Sequence, residues 1–237
     1  MARYGMVIDL NRCVGCQSCA VACKVENNVR FSTPEEASHG REIQWMQVLP
    51  VAEGEFPNVV ETFIPVLCNH CENPSCVPVC PTGATYQSEA TGIIGQVYTR
   101  CIGCRFCAVA CPYMARYFNW SKPHWPEEMK ARLNPDVSTR TKSVIEKCTF
   151  CSHRLPRARE QALSEGRKLR DGDYVTACME ACPTRAIVFG DLDDSNSRVA
   201  VLSRGHRAKR LREELGNEPK VFYLDQQGGW DVDNNDG

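Results

Sequence analysis

Cys101-Ile-Gly-Cys104-Arg-Phe-Cys107-Ala-Val-Ala-Cys111-Pro112 is the stretch on which the fold turns. Its spacing, C-x2-C-x2-C-x3-C-P, is that of thiolate runs that hold [4Fe–4S] clusters. Three thiolates on a tight loop cap three irons of one cubane. The fourth, Cys111, faces away along the following turn and typically ligates a second cluster. One such run therefore implies a partner run elsewhere in the chain.

Three more are present. Cys13-Val-Gly-Cys16-Gln-Ser-Cys19-Ala-Val-Ala-Cys23 repeats the spacing, with Lys24 where the later run has proline. A helix starting at Ser18 puts Cys19 and Cys23 on one face, and without a proline it continues through Lys24 and beyond. Cys68-Asn-His-Cys71-Glu-Asn-Pro-Ser-Cys76-Val-Pro-Val-Cys80-Pro81 carries two extra residues in its middle gap, among them Pro74, which reads as a loop insertion. The last run is split into Cys148-Thr-Phe-Cys151 and Cys178-Met-Glu-Ala-Cys182-Pro183. His70 lies beside four cysteines that already fill a site, so a hydrogen bond to a neighbouring group is its expected role.

The chain has 237 residues, 43% of them hydrophobic and 24% charged, the balance of a soluble globular protein. A formal net charge of -1 and the lack of any basic block leave no electrostatic footprint for nucleic acid. Sixteen cysteines are the anomaly. Disulfides suit small secreted domains, but these thiols crowd in sets of four. Zinc takes four thiolates from two C-x2-C pairs, and a third Cys at x2 with a fourth at x3 fits it poorly. Iron–sulfur clusters account for the spacing. Met1 to Leu10 shows no secretory h-region before Asp9 and Arg12, and no apolar run approaches the length of a membrane span.

Between the runs, short strands are expected over Tyr4–Leu10, Ile43–Leu49, Val59–Val66 and Ala115–Trp120. A hairpin is expected from Ala84–Gln87 and Ile93–Tyr98. Trp45 and Phe63 read as core and His39 as solvated. Pro123, Pro126 and Pro135 break up the second long insertion; Trp120, His124 and Trp125 read either as packing or as contacts to a cluster or partner. Pro156 to Gly166 reads as a helix, proline near its start and glycine at its end. Ser197–Leu215 reads as a further helix, followed by a loose tail from Gly228 to Gly237. Cys80-Pro-Thr-Gly-Ala84 and Cys182-Pro-Thr-Arg-Ala186 match closely, and each opens a strand, the sign of an internal duplication.

Over about residues 4 to 190 these motifs resemble the four-cluster, ferredoxin-like electron-transfer subunit of the complex iron–sulfur molybdoenzyme superfamily. Relatives there serve polysulfide, tetrathionate, arsenate and dimethyl sulfoxide reductases, the menaquinone reductase of sulfate reducers and alternative complex III. The resemblance implies an α+β fold of two ferredoxin-like two-cluster units related by duplication, with long loop insertions. Residues 1–58 plus 143–197 would form one unit, 59–142 the other, and 198–237 a C-terminal helix and tail for partner docking. It also implies four ligand sets. The first is Cys13, Cys16, Cys19 and Cys182; the second Cys148, Cys151, Cys178 and Cys23. The third is Cys68, Cys71, Cys76 and Cys111; the fourth Cys101, Cys104, Cys107 and Cys80. In nitrate-reductase-type relatives the position of Cys104 is tryptophan and that cluster is [3Fe–4S]; cysteine here implies four [4Fe–4S] clusters.

Arg116-Tyr-Phe-Asn-Trp120 and Leu133-Asn-Pro-Asp-Val137 look most like the quinone reductase and alternative complex III branch. The resemblance thus implies a non-catalytic subunit of an oxidoreductase complex, relaying single electrons between a molybdopterin-type or multihaem cytochrome c partner and a multi-helix quinone-binding membrane subunit. It would sit peripheral to a bacterial inner membrane, on the periplasmic face by co-export with a partner, the cytoplasmic face being the alternative. The competing functions are an electron-transfer subunit of a terminal reductase and a zinc-stabilised interaction module.

Overall fold

The computed structural model describes residues 2–225. Its helices are α1 (Ser18–Glu26), α2 (Pro34–Ser38), α3 (Phe106–Val109), α4 (Glu127–Lys130), α5 (Arg154–Ser164), α6 (Ala177–Glu180) and α7 (Arg198–Ser203). The strands are β1 (Tyr4–Asp9), β2 (Met46–Glu53), β3 (Val60–Leu67), β4 (Thr85–Gln87), β5 (Ile94–Gln96), β6 (Tyr117–Phe118), β7 (Ile145–Glu146), β8 (Ile187–Asp191), β9 (Ala208–Lys209) and β10 (Val221–Leu224). Helix and strand are mixed, and most elements are short, because the Cys-rich loops between them take much of the chain.

The largest sheet has the order β8-β1-β10-β9, with β1 parallel to β10 and antiparallel to β8. Residues alternate across its faces with period 2. Tyr4, Met6, Ile8, Phe189 and Tyr223 point toward the cysteines, while Val7, Val188 and Phe222 pack with Val199 of α7 on the other side. With both faces covered, Met6-Val7-Ile8 and Val221-Phe222-Tyr223 read as unbroken apolar runs rather than as alternation. Three two-stranded ladders complete the structure: β2 with β3, β4 with β5, and β6 with β7.

The C-terminal segment departs from expectation. The helix expected over 197–215 stops at Ser203 in α7. The chain then runs through β9 and a short 3-10 turn, where Arg212 and Gly216 adopt left-handed backbone, into β10. Val221–Leu224 is inserted between β1 and β9 and is buried, so this segment is part of the main sheet rather than a separate docking tail. It also reaches the second Cys run, through Lys220 N–H to Asn69 O (2.9 Å) and Glu72 N–H to Glu218 O (2.8 Å). The tail expected over Gly228–Gly237 lies outside the described residues.

Smaller shifts have local causes. The strand expected over 43–49 is Met46–Glu53, paired in register with β3 (Val48 opposite Pro65) rather than starting at the buried Ile43. The strand expected over 115–120 shortens to Tyr117–Phe118, since only two residues find a partner in β7. The helix expected from Pro156 begins two residues earlier, at Arg154, and ends before Gly166, whose φ of +68° closes it. Trp45 is core, and its indole N–H reaches Glu146 Oε2 at 3.0 Å. Phe63 is only half-buried, with its ring over the Gly15 loop.

Candidate metal centre

The first Cys-x2-Cys turn of each run bends back on itself at the residue before its second cysteine. Gly15, His70, Gly103 and Phe150 occupy that position, with φ of +66°, +42°, +69° and +53°. In two of the turns only glycine suits the surroundings. A Cβ on Gly15 would lie 2.6 Å from the Phe63 ring, and one on Gly103 would lie 2.3 Å from Ser143 O. The turn gathers its thiols on one side, and α1 and α3 then carry Cys19 and Cys107 back over the loop.

Strand pairing brings in the distant thiols. β1 runs into the first Cys run and β8 leaves Cys182. Their antiparallel pairing, closed by Asp9 N–H to Ala186 O at 2.8 Å, sets Cys182 beside that run. The same construction recurs in the β4–β5 hairpin, which leaves Cys80, enters the run at Cys101 and is closed by Val97 N–H to Ala84 O at 2.7 Å. Helix α1 packs against α6, where Asn27 Nδ2 lies 3.8 Å from Cys23 Sγ and 3.7 Å from Cys151 Sγ. Ser75 Oγ donates to Ala110 O at 2.7 Å, tying the second run to the end of the third.

All sixteen cysteines are free thiols, and electrostatics shows which are neighbours. Burial, then the charge of Cys13, pushes Cys19 up to about 11, with Cys182 and Cys16 adding to it. Cys23 is raised by burial and then by Cys148, Cys151 and Cys178. Cys71 is pushed up to about 12 by burial and then by Cys68, Cys76 and Cys111. Cys80, Cys101 and Cys107 share neighbours: Thr85 N–H reaches Cys80 Sγ at 3.4 Å and its side chain faces Cys107, while Ile145 N–H reaches Cys101 Sγ at 3.4 Å and packs on Cys107. Cys104 is the exposed member of that run.

Thiols of different runs also influence one another: Cys178 feels Cys19, Cys148 feels Cys68, and Cys107 feels Cys76. Cys16 and Cys104 are the two exposed thiols.

The donor set suits [4Fe–4S] clusters. Backbone N–H groups are aimed at sulfur, from Phe150 to Cys148 at 3.4 Å and from Ala186 to Cys182 at 3.3 Å, as anionic cluster thiolates need. At Cys80, burial acts to raise the thiol, but N–H and hydroxyl groups of Thr85, Thr82 and Ala84 carry it down to about 7. Burial pushes the Cys178 thiol up to about 12, and a bound cluster would hold it as the thiolate.

His70 takes the hydrogen-bonding role expected of it: Nδ1 accepts from Ile94 N–H at 3.1 Å, and the ring stacks on Phe150 with centroids 3.8 Å apart. Trp120 packs on Phe118 beneath Arg105 of the third run; Trp125 meets Phe31, and His124 is exposed. His39 is exposed as expected. Two residues at the cysteines went unread in the sequence. Arg116 is buried with its guanidinium on Cys76 Sγ, Lys147 is buried on the Cys148 carbonyl, and nothing in their spacing separates them from surface cations.

Residues 12–84 and 100–186 match the 4Fe-4S dicluster domain family, and residues 59–127 match a second family of the same description. The chain belongs to the 4Fe–4S dicluster family of iron–sulfur electron-transfer subunits. It is 49% identical to the menaquinone reductase iron–sulfur cluster-binding subunit of Nitratidesulfovibrio vulgaris, over 95% of this chain and 89% of that one. It is 38% identical to the arsenate respiratory reductase iron–sulfur subunit of a Shewanella species, over 94% of this chain and 96% of that one. A tetrathionate reductase subunit of Salmonella typhimurium is 40% identical, over 94% of this chain and 72% of that one. The chain carries four [4Fe–4S] clusters and is an electron-transfer subunit rather than a catalytic one. No helix among the described residues is long and apolar enough to cross a membrane.

Proposed function

We propose that the chain is the electron relay of a membrane-peripheral respiratory quinone oxidoreductase. In this reading the four quartets hold the clusters: Cys13, Cys16, Cys19, Cys182; Cys148, Cys151, Cys178, Cys23; Cys68, Cys71, Cys76, Cys111; and Cys101, Cys104, Cys107, Cys80. Bound clusters supply one-electron carriers. The chain's own part is to space them in a row, shield them from solvent and aim N–H groups at their sulfurs. What supports this reading is that neighbouring thiols link each proposed set to the next, Cys19 to Cys178, Cys148 to Cys68 and Cys76 to Cys107, with an exposed thiol in the first and last sets.

Two ferredoxin-like units related by duplication are supported by the matching turns after Cys80 and Cys182, each leading into a strand. Gly83 and Arg185 share left-handed backbone, with φ of +61° and +54°, and Thr82 and Thr184 stand 3.7 and 3.6 Å from the Cys80 and Cys182 sulfurs. We take 59–142 as one unit and 1–58 with 143–197 as the other, β9 and β10 joining the sheet of the latter. The 49% identity to a menaquinone reductase subunit, against about 40% to terminal-reductase subunits, favours the quinone branch. Partners on this reading are a molybdopterin-type large subunit, a multi-helix quinone-binding membrane subunit and a multihaem cytochrome c, on the periplasmic face.

The test is purification of the intact complex under argon from native membranes, followed by reduction with a menaquinol analogue. Quinol-dependent loss or gain of the cluster EPR signals, with such subunits present, is expected. A chain isolated without a membrane partner, whose clusters never respond to quinol, would overturn the proposal.

A further inference from the structure

A buried positive charge is costly unless an anion lies beside it. Lys147 is fully buried and donates to the carbonyls of Ile94 and Cys148, the latter at 2.7 Å. Arg116, 6% exposed, donates through Nη2 to Cys76 Sγ at 2.8 Å and through Nη1 to Thr85 Oγ1 at 3.1 Å. Among the described residues neither is ion-paired with a carboxylate. Glu146, next to Lys147 in sequence, is held by Arg140 at 2.8 Å, and the buried Lys220 is held by Glu72 at 3.2 Å.

Sulfur ligands lie on either side of the two cations instead. Lys147 joins the carbonyl of Cys148, of the second quartet, to that of Ile94, which packs with Cys76 of the third. Arg116 joins Cys76 Sγ to Thr85, whose N–H reaches Cys80 Sγ of the fourth. Lys147 therefore stands between the second and third quartets, and Arg116 between the third and fourth. Burial works against the charge on Lys147, while Cys68 and Cys76 favour the charge on both cations. Elsewhere in the row positive charge is cancelled or remote. Arg154, near Cys151, is bonded to Glu26 at 2.5 and 2.7 Å, and the first quartet feels chiefly its own thiols and hydrogen-bond donors.

We propose that Lys147 and Arg116 are potential-setting residues that make the Cys68, Cys71, Cys76, Cys111 cluster the most readily reduced of the four. The proposal rests on the ligand sets given above. One-electron reduction adds a single negative charge, with no proton and no bond made or broken; the electron comes from a neighbouring cluster of the row. Two buried cations without carboxylate partners favour that added charge, and the Arg116 N–H on Cys76 Sγ adds a hydrogen bond to a ligand sulfur, the other established lever on cluster potential. The third position becomes the place where an electron entering from either end comes to rest.

The test is an anaerobic redox titration of the cluster-loaded full chain, read by EPR, with iron and sulfide assayed on every sample. Cys71→Ser identifies the third-quartet signal by altering or removing it. In the wild type that signal is expected to have the highest midpoint. Lys147→Met and Arg116→Gln should each shift its reduction equilibrium about tenfold toward the oxidised form, about 59 mV for a one-electron couple, and shift the first-quartet signal far less. Lys147→Arg and Arg116→Lys should restore most of the difference.

A highest midpoint on a signal that Cys71→Ser leaves intact would overturn the proposal. So would equal shifts in all signals, or none. If Lys147→Met takes up no clusters, the wild-type order and the Arg116 pair decide the matter. Iron well short of four clusters in the wild type would instead be a failure of the ligand-set reading.

Discussion

Cys104 and Cys16 are the two exposed thiols, and each lies in a turn shaped by a glycine with left-handed backbone. In our assignment Cys104 serves the last cluster of the row, far from the quartet around Cys13. Cys104→Ala should therefore convert or remove one cluster and leave the signals of the first two intact. Loss of all four signals together would contradict the two-unit arrangement. The cysteines were legible in the sequence because a cubane dictates thiol spacing, and spacing survives as pattern. Lys147 and Arg116 were not. A cation buried against sulfur has the same sequence appearance as one in water, and only β5, β6 and β7, folded around them, remove the solvent.

Helix α2 shows how the long insertions are fastened. Its capping box pairs Thr33 with Glu36, whose carboxylate also accepts from Arg30 at 2.7 and 3.0 Å and from Ser121 at 2.5 Å, so one side chain ties the first insertion to the second. The Arg30 guanidinium holds Glu36 down at about 2. A carboxyl lowered on folding contributes stability above its unfolded value, near 4.3, and loses it as pH falls toward the folded one. Glu36→Gln should therefore cost about 1–3 kcal/mol, because Arg30 is left buried without its anion. In thermal melts that deficit should be the same at pH 8 and pH 5; a deficit that vanishes by pH 5 would contradict the assignment. At this scale the sequence was legible where an element has a marked boundary, as at Ser18 or Gly166. It was not legible beyond Ser203. There the charged residues around a four-residue apolar run, Val221–Leu224, hid a strand whose partners lie at the other end of the chain.

Across the whole molecule, the pairing of first run with fourth and second with third came from resemblance, since spacing alone leaves the fourth ligand of each set open. Two antiparallel pairings, β1 with β8 and β4 with β5, each bring a Cys-Pro turn to the run that precedes or follows it, as the ligand sets we propose need. Long loops and short elements leave modest cores around the cysteines, so cluster binding should supply much of the folding free energy. The electron relay is tested most directly by iron, acid-labile sulfide and zinc per chain on anaerobically purified protein, with EPR of the reduced state. Four cubanes require about sixteen irons with matching sulfide, and that count is expected, with no [3Fe–4S] signal. About twelve irons with an oxidised [3Fe–4S] signal would contradict the fourth ligand set, and zinc in place of iron would contradict the relay itself.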